Sequence, residues 1–136
     1  MSARSKARKA ALDLLYESDI RRTSASDLLL RRVTDLEYVI RDFTKELVDG
    51  VDAHRRKIDE LITTYSQGWD MDRMPVIDRN ILRLAIYEVL WSSEVPAAVA
   101  ISEALELAQT LSTDESSKYI NGVLSKVLEI KPDLVL

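Results

Sequence analysis

Apolar residues recur at helical spacing along nearly the whole chain, and three glycines and three prolines are all that could interrupt them. Ile77, Ile81, Leu82, Leu84, Ala85, Ile86, Val89 and Leu90 cover more than one face of a helix, which predicts a central helix buried on most sides. It starts near Pro75, a residue suited to a first turn. Narrower stripes predict amphipathic helices around it. Ala7, Ala11, Leu14 and Leu15 mark one over about residues 3–19. A short one follows near residues 26–33, with Ser24 or Ser26 as its N-cap. Leu36, Val39, Phe43, Leu47, Val51, Ile58, Leu61, Ile62 and Tyr65 mark residues 35–66 as one long helix bent at Gly50 rather than two. After a short connection at Glu94-Val95-Pro96, Val99, Ile101, Ala104, Leu105 and Ala108 mark a helix to about Leu111. The last starts at Thr113, carries Tyr119, Ile120, Val123, Leu124 and Val127, and ends at Pro132. The expectation is an all-α, single-domain bundle of six to seven helices.

Several kinds of chemistry are excluded. The chain has no cysteine, so disulfides, thiolate catalysis and cysteine-based zinc sites are ruled out. Its single histidine, His54, rules out a multi-histidine metal site. No apolar run reaches the roughly 18 residues of a membrane span. Asp13, Glu17 and Asp19 interrupt any signal-peptide core behind the basic N-terminus. The expectation is a cytoplasmic protein with no cofactor and no metal, and not an enzyme.

Charge is the informative feature. The net charge is −4, yet residues 1–9 carry Arg4, Lys6, Arg8 and Lys9 and no acid. The rest of the chain is acidic. A general nucleic-acid binder would be basic throughout, so any phosphate contact here should be local. Arg4 and Arg8 lie one turn apart and share a face; Ser5 and Lys9 do the same on the neighbouring face. Cations at a helix N-terminus oppose the macrodipole, by about 0.3–1 kcal/mol each. Four of them at that end suggest a role that outweighs the cost, and phosphate binding is one.

Two further constellations stand out. In Ile77-Asp-Arg-Asn-Ile-Leu-Arg-Leu-Ala-Ile-Tyr-Glu88, Asp78 suits the helix start, and the exposed part of that start is a candidate docking edge. Glu103 and Glu106 lie three apart, but no nucleophile or metal cluster accompanies them, so a solvated or capping role is expected. Asn121-Gly122 inside a helix is unusual, since both are poor helix formers. Gly122 suits close helix packing, and Asn121 suits a hydrogen bond to a base or to backbone.

Taken together, these blocks resemble the NusB family of bacterial transcription antitermination factors. The resemblance is carried by residues 4–8 with Ala10, Leu15 and Tyr16; Glu46-Leu-Val-Asp-Gly-Val51; residues 78–88; residues 96–108; and Tyr119-Ile-Asn-Gly-Val-Leu124. It implies two packed subdomains, the first three helices on the last three. On this reading residues 1–132 form the RNA-binding helical domain and residues 133–136 a tail. It implies binding of boxA-type single-stranded RNA in ribosomal RNA leader transcripts, together with NusE (ribosomal protein S10), within the RNA polymerase antitermination complex with other Nus factors. Arg4, Lys6, Arg8 and Lys9 match the family's basic RNA-contacting segment; Ser5 stands where relatives often carry another cation. Tyr119 and Asn121 match an aromatic and an amide near the RNA, bordered by Glu115, Ser116 and Lys118. Splayed bases stack on the one and hydrogen-bond the other. Trp69, Asp78, Arg79 and Leu82 match the region facing NusE. Replacing Arg4, Lys6 and Arg8 by Ala is expected to weaken RNA binding at unchanged melting temperature.

Two other readings differ in class. A NusB-like domain also precedes the catalytic domain of some ribosomal RNA cytosine methyltransferases, and a longer reading frame downstream would revive that idea. A homodimer could sequester the RNA-binding surface, with Trp91, Phe43 and the tail Leu134-Val135-Leu136 at its interface.

Overall fold

The computed structural model describes residues 2–35 and 39–136. Seven α-helices account for most of the described residues: α1 (Ala3–Arg21), α2 (Ala25–Asp35), α3 (Asp42–Ala53), α4 (Arg55–Tyr65), α5 (Val76–Trp91), α6 (Ala97–Leu111) and α7 (Asp114–Ile130), with 3-10 turns at Met71–Arg73 and Lys131–Asp133. The predicted centre holds. In α5 every residue from Asn80 to Leu90 is buried. It packs on α1 and α3 on one side and on α4, α6 and α7 on the other. The two subdomains are thus α1–α3 and α4–α7, with α5 as the shared wall.

The ends of α1 and α2 follow their sequence signals. Ser24 is the N-cap of α2, accepting from Asp27 N at 3.2 Å, which decides between the two serine candidates. Ser2 caps α1 by accepting from Ser5 N. Pro75 sits at the N-cap of α5, one residue earlier than a first-turn position.

The expected long helix over residues 35–66 is two helices, and the break is at His54, not Gly50. His54 leaves helical geometry at φ −110°, ψ 15°. Its imidazole then stacks on Trp91, with centroids 4.0 Å apart. The reason is topological: α3 belongs to one subdomain and α4 to the other, so one straight helix cannot serve both. Gly50 has a different task. A Cβ there would lie 2.1 Å from Tyr87 Cε1, so the glycine admits the Tyr87 ring rather than a bend. Val39, expected in the same apolar stripe, precedes α3 and is 93 % exposed. Leu36 lies outside the described residues.

Candidate nucleic-acid interface

The N-terminal turn of α1 separates its cations into two kinds. Arg4 and Lys6 are exposed and Lys9 is half-buried. Arg8 is 2 % exposed. Its guanidinium donates to both oxygens of Glu88 at 2.9–3.1 Å and lies 3.3 Å from Glu103. Arg4 and Arg8 do share a face, but it is the face over the Phe43 ring, 5.5 and 5.3 Å from its centroid. Arg8 is therefore a buried pillar and not a free member of the surface patch. The triple replacement that includes it cannot leave stability unchanged.

The adverse macrodipole is answered from other elements. Glu94, in the connection before α6, comes within 3.6 Å of Arg4. Glu103 of α6 accepts from Ser5 Oγ at 2.6 Å as well as facing Arg8. Three carboxylates thus stand at a helix start whose own first turn has none. Burial pushes the Glu88 carboxyl up, against the pull of Arg8, and neighbouring Glu103 and Glu46 add to the rise. Ser5 is consequently a tie between α1 and α6, a role that the sequence pattern did not signal.

At the other end of α5 the second set gathers. Ser116 is buried and donates to Asp78 Oδ2 at 2.6 Å, while its own amide is capped by Thr113. Asp78 is fully buried. Tyr119 is half-buried and meets the edge of Trp69 at 4.8 Å, an 81° T-shaped pair. Glu115 and Lys118 are exposed and 3.9 Å apart. Asn121 is exposed and accepts from Ser125. Glu88 and Asp78 stand ten residues apart on α5, so the two clusters are separated by about 15 Å along it.

The candidate docking edge is mostly interior. Asp78 and Leu82 are fully buried. Arg79 donates to both oxygens of Asp19 at 2.7 and 2.9 Å and to the Met71 carbonyl. Asn80 and Arg83 also reach Asp19, and Arg83 reaches Asp59. This network ties the end of α1 to α5 and α4. Burial acts to raise the Asp19 carboxyl, but hydrogen bonds from Arg79 and Asn80 and the nearby guanidinium charges outweigh it and hold it at about 2. Of the four, Trp69 in the loop before α5 and Arg79 in its first turn are the two that stay partly exposed. The dimer candidates are likewise committed within the chain, Trp91 to His54 and Phe43 beneath two arginines, while Val135 and Leu136 remain exposed.

Gly122 corrects another expectation. A Cβ there would meet nothing within 4 Å, so it does not serve helix packing. A helix-interior glycine costs about 0.5–1 kcal/mol relative to alanine. It lines an open cleft of about 390 Å³ with Tyr65, Gln67, Lys118, Tyr119, Val123 and Lys126.

Among the described residues no group of three or more His, Asp or Glu side chains could hold a metal, and no helix is long and apolar enough to cross a membrane. Comparison with known proteins bears on what remains. The NusB family model matches residues 5–129. The chain is 51 % identical to the transcription antitermination protein NusB of Nocardioides sp. over 98 % of this chain and 99 % of that protein. T. maritima NusB superposes with a TM-score of 0.80 at 30 % identity, covering 98 % and 99 % of the two chains. A crystal structure of antitermination factors NusB and NusE in complex with dsRNA contains a chain of TM-score 0.78 and 26 % identity, covering 93 % and 96 %.

Proposed function

Since this chain belongs to the NusB family, we propose that it is a transcription antitermination factor that binds boxA-type RNA of ribosomal RNA leader transcripts with NusE. It does so in the cytoplasm, within the RNA polymerase antitermination complex. The observation that carries the RNA reading is the placement of exposed Arg4 and Lys6, with half-buried Lys9 beside them, on the first two turns of α1 in a chain whose remainder is net acidic. Phosphate is attracted there, while the net negative charge of the rest of the chain disfavours unspecific contact. Tyr119 and Asn121, with Lys118 beside them, form the second contact. A stacking ring and an amide suit a single strand whose bases are splayed, better than a closed duplex. Glu115 borders that contact and can accept only from a base edge. Arg8 and Ser116 act from beneath: one fixes the basic turn, the other the start of α7. NusE docks on the loop edge before α5, where Trp69 is presented and Arg79 with Asp78 and Leu82 hold the backbone in place.

The test is titration of labelled boxA single strand, its duplex and a scrambled strand, with and without NusE. Tighter binding of the boxA strand, strengthened by NusE, is expected. Equal affinity for all three RNAs would overturn the assignment.

A further inference from the structure

Helix α6 packs the wrong way round for a helix that serves only its own core. Its buried side chains are Ala100, Ala104, Ala108 and Leu107, while Val99 is exposed and Ile101 and Leu105 are only half-buried. Apolar burial stabilises in proportion to the area removed from water, so a helix packed only for the core would turn its large side chains inward. Instead Ile101 and Leu105, one turn apart, line an open groove of about 690 Å³ between α6 and α7, with Ala98 and Gln109 at its ends. Leu128 forms the other wall, and it is the large apolar side chain of α7 that turns outward. An exposed apolar surface of this kind marks an interaction site.

We propose that this groove docks an amphipathic helix of a protein partner, which lays an apolar ridge against Ile101, Leu105 and Leu128 and brings a Lys or Arg to Glu106. The length fits: Ala98 to Gln109 spans about 16 Å along α6, three turns of a partner helix. The charge fits as well. Glu103 and Glu106 are the only charged residues of α6. Glu103 is turned to α1, where it accepts from Ser5 and faces Arg8. Glu106 is exposed, and no ion pair among the described residues engages it. Lys9, which shares the α1 side of α6 with it, is bonded to Asp13. No cation lines the groove, so phosphate finds nothing there to bind and RNA is not the occupant. A second copy meeting it groove to groove would set Glu106 against Glu106, which opposes a symmetric dimer. An apolar floor with one free carboxylate at its rim selects a cationic helix.

The experiment uses the full, isotope-labelled chain and a synthetic helical peptide of about 15 residues, with Leu at every third or fourth position and Arg on its flanks. A twin peptide carries Glu in place of each Arg. The Arg peptide should bind and shift the amide resonances of residues 98–109 and of Leu128. Its twin should bind about tenfold more weakly. Glu106→Arg should reverse that preference. Leu128→Gln puts a good helix former at an exposed position, so it should melt like the wild type and keep its affinity for boxA RNA. It should lose peptide affinity severalfold, because one apolar wall is gone. Equal binding of both peptides, or shifts that fall outside the groove, would overturn the proposal. So would a loss of boxA RNA binding in Leu128→Gln, which would give the groove to RNA. A wild-type dimer in sedimentation that Leu128→Gln dissolves would give it to a second copy and overturn the proposal as well.

Discussion

Arg8 shows how far a single residue can differ from its neighbours in an apparently uniform motif. Arg4, Lys6, Arg8 and Lys9 look alike in the sequence, yet Arg8 closes a buried bidentate pair with Glu88. Removing one partner of such a pair leaves an uncompensated buried charge and costs about 3–5 kcal/mol. Arg8→Ala should therefore lower the thermal midpoint steeply, as followed by circular dichroism. Arg8→Met combined with Glu88→Leu should cost less than either change alone, and a simple sum of the two would contradict the pairing. Gly50→Ala should also destabilise, by about 1–3 kcal/mol, because the Tyr87 ring occupies the space of the new methyl. A chemical-denaturation midpoint equal to the wild type would contradict that packing. Neither role is legible from local sequence. Glu88 lies 80 residues from Arg8, and Tyr87, which fills the space at Gly50, belongs to a different helix. What the sequence does show is that a cation sits beside the stripe Ala7–Ala11–Leu15, and a position beside a buried stripe is where burial could have been suspected.

At the scale of elements, the helices themselves were readable because their stripes are strong, and α5 most of all. Their breaks were less so. The division at His54 depends on which subdomain each half joins, and that is a property of the packed molecule rather than of residues 50–58. The basic start of α1 is similar: its unfavourable dipole is offset by Glu94, Glu88 and Glu103, which only the fold brings there. The far end of α1 is tied down by Asp19, whose carboxyl is held at about 2 against an ordinary 3.8. A depressed value means that its contribution is fully present above about pH 4 and disappears as the pH falls through about 2. That contribution is worth roughly 2 kcal/mol. The thermal midpoint of Asp19→Asn should accordingly be lower than wild type near neutrality and should fall less between about pH 4 and pH 2. Parallel pH profiles would show that the network does not bind α1 to α5.

For the whole molecule, shape and charge act together. The fold carries a basic helix start at one end of α5 and an aromatic–amide pair near the other, about 15 Å apart along the helix, on a body of net negative charge. Composition and order of motifs made both ends visible beforehand. The exposure of each side chain did not follow from them, and it reduces the surface basic patch to Arg4, Lys6 and Lys9, with Glu94 near the first and Asp13 bonded to the last. The most direct measurement is the salt dependence of boxA single-strand affinity for the wild type and for the variant with those three residues changed to Ala. The variant should melt like the wild type, bind more weakly, and show a slope of log K against log salt shallower by about 2. An unchanged slope and affinity in a folded variant would contradict the account.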